Sequence, residues 1–204
     1  MASETEVVNQ ALTLLGAERI AAIDDGSVNA VRASTIFAKL RDDLLRSSEW
    51  DFATIRDKLA QLGTDPIYGY AHAYAIPANW IRTIAVHHNE NGTGNFDYRH
   101  ETLNGQDVIV TDLDDVWMTY VFRNVDVSRW PADFERAMVE ALARDLAVAV
   151  TASNTLQQTY EKRAPHTLAR AKNVDSMGSF PERRPRGSWA SSRGGRRSYG
   201  VGNP

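Results

Sequence analysis

The apolar residues of this chain follow a helical period near both ends and a strand-like period between Trp50 and Trp130. Near the start, Ser3 and Glu6 have the spacing of a capping box, and Gly16 is a natural stop. The sequence therefore predicts a first helix between them. Its apolar stripe comprises Val7, Val8, Ala11, Leu14 and Leu15.

A second helix is predicted after Ser27, which has the residue type of an N-cap. Its inner face comprises Ala33, Ile36, Phe37, Leu40 and Leu44. Its other side carries the charged residues Lys39, Asp42, Asp43 and Arg46. This division of apolar and charged positions is typical of a helix that covers a core.

Short β-rich runs occupy the middle of the chain. Asn104-Gly105 is a strong hairpin signal, and Asn91–Gly94 predicts a longer turn between strands around Ile81–Val86 and Phe96–Arg99. The run from Val116 to Phe122 is dense in aromatic and β-branched residues. Together these signals predict an antiparallel meander of five or six strands.

The helical period returns after Trp130-Pro131. One stripe comprises Met138, Val139, Leu142, Leu146, Ala149 and Val150, and an opposite charged stripe comprises Arg136, Glu140 and Arg144. A last helix is predicted from roughly Thr155 to Val174. Pro165 lies inside it and should kink or split it, because proline lacks a backbone donor.

The predicted fold class is α+β. Residues 1–50 and 131–176 form an antiparallel helical bundle, and residues 51–130 form a β insertion. Residues 177–204 form an Arg/Gly/Ser-rich arm whose six arginines and one acid give it a charge of +5. Because the whole chain carries −3, residues 1–176 carry −8. The arm has too little apolar surface to offset the entropy of ordering, so we expect it to be disordered alone.

Two groups of residues suggest metal sites, and we favour a simpler interpretation of each. His87 and His88 are adjacent on a predicted strand, where successive side chains point to opposite faces. With His72 and His100 they are more simply surface histidines. Asp112, Asp114 and Asp115 lack the spacing of a calcium loop and are more simply a solvated turn.

No nucleophile motif is present either. The chain has no cysteine, no Gly-x-Ser-x-Gly elbow and no glycine loop opening a helix. We therefore expect a protein that is not an enzyme and that needs no cofactor or metal. No apolar run is long enough to span a membrane, and the acidic start Met1–Glu6 is unlike a signal peptide.

Several short motifs occur in an ordered series along the chain. They are Leu14-Leu15-Gly16, Trp50-Asp51-Phe52-Ala53, Ile76-Pro77-Ala78-Asn79-Trp80-Ile81, Trp130-Pro131-Ala132-Asp133-Phe134, Ala141-Leu142-Ala143 and Leu146-Ala147. In order and spacing this series resembles the tail tubular protein A family, the head-to-tail adaptors of podoviruses. The likeness spans roughly Val7 to Val174. The arm and Pro165 depart from the family pattern.

The resemblance implies a structural protein of the virion neck that catalyses no reaction. Related adaptors form a ring, twelve-fold in the family, from copies of one chain. The ring lies between the portal protein and the tail nozzle, tail tubular protein B, and tail fibres are a further expected contact. DNA passes through its channel without sequence-specific binding. An acidic body suits such a channel, because like charge discourages phosphate contact.

Two sets of residues are predicted to contact partners. In the arm, which we expect to dock on the portal, they are Phe180, Arg183, Arg184, Arg186, Trp189, Arg193, Arg196 and Arg197. In the loops, which we expect to face neighbouring subunits, the nozzle or tail fibres, they are Asn91, Gly92, Asn104 and Gly105. The alternative is a nucleic-acid-binding protein that uses the arm, since arginine and tryptophan also contact phosphates and bases.

Overall fold

The structure, a computed structural model, describes residues 3–90 and 96–178. The predicted partner residues Asn91 and Gly92, and those of the arm from Phe180 onward, lie outside these ranges. Among the described residues, no helix is both long enough and apolar enough to cross a membrane.

The described residues form four α-helices, six β-strands and two short 3₁₀ helices. The α-helices are α1 (Glu4–Leu14), α2 (Val28–Arg46), α3 (Ala132–Thr151) and α4 (Asn154–Gly178). The strands are β1 (Thr54–Lys58), β2 (His72–Ala75), β3 (Trp80–His87), β4 (Arg99–Leu103), β5 (Gln106–Thr111) and β6 (Trp117–Phe122). The 3₁₀ helices are Asp51–Ala53 and Val127–Arg129. The predicted α+β class is confirmed.

The predicted ends of the first two helices are confirmed by their hydrogen bonds. The Ser3 hydroxyl accepts from the Glu6 amide at 3.2 Å, and the Ser27 hydroxyl accepts from the Ala30 amide at 3.3 Å. Gly16 has a φ of +67°, and the following amide of Ala17 donates to Leu12 O at 2.9 Å. This is the Schellman geometry in which a glycine ends a helix.

The strands form two three-stranded antiparallel sheets and not one meander, so that prediction was wrong. The inner sheet has the order β1-β6-β3, and the outer sheet has the order β2-β5-β4. The hairpin predicted at Asn104-Gly105 joins β4 to β5, with φ values of +52° and +81° at its two central residues. Two positive φ values match a type I′ turn. Strands β3 and β4, which flank Asn91–Gly94, belong to different sheets.

The elements stack in three layers: helices, inner sheet and outer sheet. One face of the inner sheet joins the main core of the helices through Ile81 and Val121. Its other face meets the outer sheet in a second core, where Met118 and Tyr120 pack with Ile109. The inner sheet therefore contributes one face to each of these two cores.

Four aromatic residues from the resemblance motifs meet where the helices join the inner sheet. The ring of Phe134, near the start of α3, lies 5.0 Å from Trp50, 4.8 Å from Phe52 and 5.1 Å from Trp130 between centroids. Phe37 of α2 stacks on Trp130 at 6.3 Å. This aromatic junction explains why tryptophan occurs at both boundaries of the β-rich segment.

The last helix is longer than predicted and is not split at Pro165. It continues from Asn154 to Gly178 with the proline inside it. The break falls earlier, at Ala152, which ends α3 in a left-handed conformation with a φ of +53°. The helical pairs α3–α4, α1–α3 and α2–α3 are in contact, so α3 is the central helix.

Candidate partner-binding cleft

A surface cleft of about 580 Å³ lies between α2, the β2–β3 connection and the β4–β5 turn. It brings together three features that are distant in the sequence. Asp42, Asp43 and Arg46 come from the charged side of α2, and Ile76 to Ile81 carry one of the resemblance motifs. Gly105 comes from the predicted partner-binding turn. Asn104, the other described residue of the predicted loop set, does not line this cleft.

The apolar part of the cleft is held in place by local hydrogen bonds. The Trp80 amide donates to Pro77 O at 2.9 Å, which folds the connection into a tight turn. The Trp80 indole N–H donates to the Thr83 hydroxyl at 3.0 Å. Arg123 N donates to Asn79 O at 2.6 Å and ties the connection to the end of β6. These bonds give the cleft a fixed wall.

The charged part of the cleft is a network on α2. The Asp42 carboxylate lies 2.9 Å from the Arg41 guanidinium and 2.9 Å from the Arg123 guanidinium. Arg46 donates through Nη1 to Ile81 O at 2.8 Å. A guanidinium carries five N–H donors, so Arg46 and Arg123 can each also bond to a carboxylate brought by a partner.

His100 lies beside the cleft on β4 and bridges the two sheets. Its ring centroid is 5.7 Å from that of Trp80, and its Nε2 is 3.2 Å from the Thr83 hydroxyl. Partial desolvation lowers the pKa of His100, and the negative charge of Asp107 opposes that shift in part. The protonated imidazole is therefore disfavoured at this position.

An exposed apolar tip lies between β1 and β2. Ile67 and Tyr68 are 92% and 88% exposed, and we call this pair the knob. The base of the loop is fixed, because Leu62 N donates to Ala73 O at 2.8 Å and Ala71 N donates to an Asp112 carboxylate oxygen at 2.9 Å. Sequence reasoning missed the knob, although an aliphatic–aromatic pair between Pro66 and Gly69 was a visible signal.

A second groove, of about 650 Å³, lies between α1, α3 and α4. Glu140, a member of the predicted charged stripe, lines this groove and is only 2% exposed, so the charged stripe is partly buried. Its carboxylate accepts from the Thr167 hydroxyl at 2.6 Å and lies 3.1 Å from Arg163. These contacts join α4 to α3, so the role of Glu140 is to stabilise the packing of the two helices.

The histidine and aspartate groups of the β segment are dispersed. His72 Nε2 lies 3.5 Å from Asp114, and His88 packs edge-on against Phe96. The Asp112 carboxylate accepts from Ala71 N, as part of the knob's base. Within residues 3–90 and 96–178, no three His, Cys, Asp or Glu side chains are grouped to hold a metal ion.

A scan against models of protein families finds no match to this chain, and a search of the curated proteins finds none either.

Proposed function

We propose that this chain is the head-to-tail adaptor subunit of a short-tailed bacteriophage. Copies of it form a ring between the portal protein and the tail nozzle, around the DNA channel, in the neck of the virion. It catalyses no reaction and carries no cofactor. The four helices form the antiparallel bundle of each subunit, and the arm docks on the portal.

The observation that carries this proposal is the aromatic junction of Trp50, Phe52, Trp130 and Phe134. These residues come from two of the motifs that resemble the adaptor family, and they lie 80 positions apart in the chain. The Phe134 ring nevertheless lies 5.0 Å from the Trp50 ring and 4.8 Å from the Phe52 ring between centroids, which joins the two motifs. Motifs that meet in one core junction are more specific than motifs dispersed over a surface, which supports the resemblance.

The last turns of α4 are fastened to the body, which supports a role for the arm that follows. Lys172 Nζ donates to Ser47 O at 2.7 Å, and the Asp175 carboxylate accepts from the Asp51 amide at 3.2 Å. Burial raises the pKa of Asp175, and burial together with Arg82 lowers the pKa of Lys172. The arm therefore leaves from a fixed point, beside Asp51.

Electron microscopy of the purified protein mixed with its portal tests the proposal directly. We expect rings seated on one end of the portal. Deleting residues 179–204, which leaves α4 whole, should abolish or greatly weaken attachment while hardly changing the melting temperature. A variant with all six arm arginines replaced by lysine keeps the charge but loses the planar fork, and should attach more weakly. Undiminished attachment of the deletion variant would remove the arm from the proposal, and the absence of rings would overturn it.

The arm also supports a second candidate function, binding to nucleic acid. Six arginines with Trp189 and Tyr199 could contact phosphates and bases. Filter binding of the full chain to random duplex DNA at physiological salt distinguishes the two functions. An adaptor should bind such DNA weakly. A DNA-binding protein should retain the DNA on the filter, and deleting residues 179–204 should abolish that retention.

A further inference from the structure

Strand β4 lies at an open edge of the outer sheet. The order β2-β5-β4 leaves one side of β4 without a neighbouring strand among the described residues. Four of the five residues of β4 are exposed, and Leu103 is half-buried. An edge of this kind presents backbone N–H and C=O groups to which another extended chain can bind.

The alternation of hydrogen bonds shows which backbone groups of β4 point outward. The carbonyl oxygen of Asp107 on β5 accepts from the Ile76 amide at 3.1 Å, on the side of β5 away from β4. The pair that Asp107 forms with Thr102 is therefore not hydrogen-bonded. Because bonded and non-bonded pairs alternate along an antiparallel ladder, His100 and Thr102 direct their N–H and C=O groups to the open edge.

Two side chains of β4 carry unlike charges two positions apart. Arg99 and Glu101 are both exposed, and they share one face of the strand because successive side chains alternate. Among the described residues, neither side chain has a hydrogen-bond or ion-pair partner. The same strand of a second copy, running antiparallel, offers the matching charge to each of them.

We propose that β4 pairs with β4 of a second copy in an antiparallel contact centred on His100. His100 then lies opposite its own equivalent in a hydrogen-bonded pair. Arg99 of each copy lies opposite Glu101 of the other in a non-hydrogen-bonded pair, where side chains are closest. Shifting the centre by one residue either way places two arginines or two glutamates opposite each other, which is unfavourable. The charges therefore select the register centred on His100.

The contact joins the two outer sheets into one sheet of six strands. It uses the same surface on both copies, as a two-fold interface requires, so association stops at a dimer. A strand of five residues buries less area than a stable interface needs, so the dimer is weak. A two-fold contact cannot join like-oriented neighbours of a cyclic ring. The dimer is therefore a state of the free protein, and the inference goes beyond the proposed function without resting on it.

Sedimentation equilibrium of the full chain at low ionic strength tests the contact by exchanging charges. Arg99→Glu places glutamates opposite Glu101, and Glu101→Arg places arginines opposite Arg99. Each variant alone should therefore dimerise about tenfold more weakly than the wild type. An equimolar mixture of the two variants should regain dimers, because both pairs of the heterodimer again have unlike charges. The double variant, Arg99→Glu with Glu101→Arg, should dimerise as the wild type does.

Disulfide formation tests the register, since the chain has no native cysteine. Arg99→Cys and Glu101→Cys proteins, mixed under oxidation, should form a disulfide-linked heterodimer. The Cα atoms of a non-hydrogen-bonded pair lie about 4.5 Å apart, within the range of a disulfide. The matched control mixes Arg99→Cys with Asp97→Cys, another exposed position. The register leaves these two positions offset by four residues, roughly 13 Å along the strand, so this mixture should link far more slowly.

The contact is overturned if the mixture of charge variants associates no more than each variant alone. Equally fast linking of the Asp97 and Glu101 mixtures would overturn it as well, and so would wild-type protein that stays monomeric at the highest attainable concentration. Because both substituted side chains are exposed and unpaired within the described residues, urea denaturation should give the same stability for every charge variant. Loss of the dimer can then be distinguished from loss of the fold.

Discussion

The carboxylate of Glu140 on α3 lies 3.1 Å from a guanidinium nitrogen of Arg163 on α4. The carboxylate is 2% exposed, while the Arg163 side chain is 47% exposed. Thr167, one turn further along α4, donates its hydroxyl to the same carboxylate at 2.6 Å. A buried anion is therefore held by two neighbouring turns of one helix, which fixes the register between α3 and α4.

Replacing Glu140 by alanine should lower the free energy of unfolding by about 2 kcal/mol, because the change removes hydrogen bonds to a buried charged group. Urea denaturation followed by circular dichroism measures the loss. The matched control is Arg136→Ala, which removes the more distant cation of the same carboxylate, 3.6 Å away and 62% exposed. That variant should lose about 0.5 kcal/mol or less. Equal losses in the two variants would contradict this account.

The burial of Glu140 shows where sequence reasoning fails for helices. Glu140 has arginines four residues before and after it, a pattern typical of a solvated face. The spacing of charges does not reveal that α4 covers Glu140, because the position of α4 depends on tertiary packing. By contrast, helix starts at Ser3 and Ser27 and the stop at Gly16 depend on neighbouring residues alone, and all three predictions are confirmed.

Phe134→Ala should destabilise the protein by about 3–5 kcal/mol, since the ring is 1% exposed and touches three aromatic neighbours. A double-mutant cycle with Trp50→Leu should show a coupling of about 1 kcal/mol. Thermal and urea denaturation give both values. Val148→Ala on the same helix, at a 42% exposed position, is the control and should change stability by less than about 0.5 kcal/mol. Strictly additive losses of stability in the cycle would show that the Phe134 and Trp50 rings do not stabilise each other.

Gly105→Ala should lower the free energy of unfolding by about 1 kcal/mol, because of backbone strain alone. Gly105 has a φ of +81°, but an added Cβ would have no heavy atom within 4 Å, so steric overlap with neighbours plays no part. Gly63→Ala is the matched control, because its site is equally open and its φ lies outside the left-handed range. Urea denaturation should therefore separate the two alanine variants. A similar loss at Gly63 would mean that conformational strain is not the cause.

The hairpin at Asn104-Gly105 was predictable because its turn type depends on two adjacent residues. The pairing of β1 with β6, through a register that matches Thr54 with Val121, depends on residues 67 positions apart. No local pattern specifies such a partner. The cleft was missed for the same reason, since its walls come from α2, the β2–β3 connection and the β4–β5 turn.

Stability should fall between about pH 7 and pH 5, in part because of His100. Burial lowers its pKa in the folded state below the usual 6.5, so the unfolded chain binds the proton more readily. The contribution of His100 is complete above the unfolded pKa and is lost as the pH falls from there through the folded pKa. In the His100→Gln variant, the free energy of unfolding should fall less steeply as the pH falls. Urea denaturation at a series of pH values measures this change. An equally steep decline in the His100→Gln variant would contradict the assignment.

The salt dependence of binding should distinguish a portal-docking arm from a DNA-binding arm. If all six arginines of the arm met phosphates of duplex DNA, log affinity would fall against log salt with a slope of about −5. Docking on a protein should give a shallower slope, because burial of Trp189 and Phe180 would add a contribution that salt does not weaken. Trp189→Ala should then reduce portal affinity without changing the slope, while Arg196→Gln with Arg197→Gln should make the slope shallower. Fluorescence titration at four salt concentrations measures both effects. A slope near −5 on the portal, unaffected by Trp189→Ala, would show that arginine charge alone holds the arm.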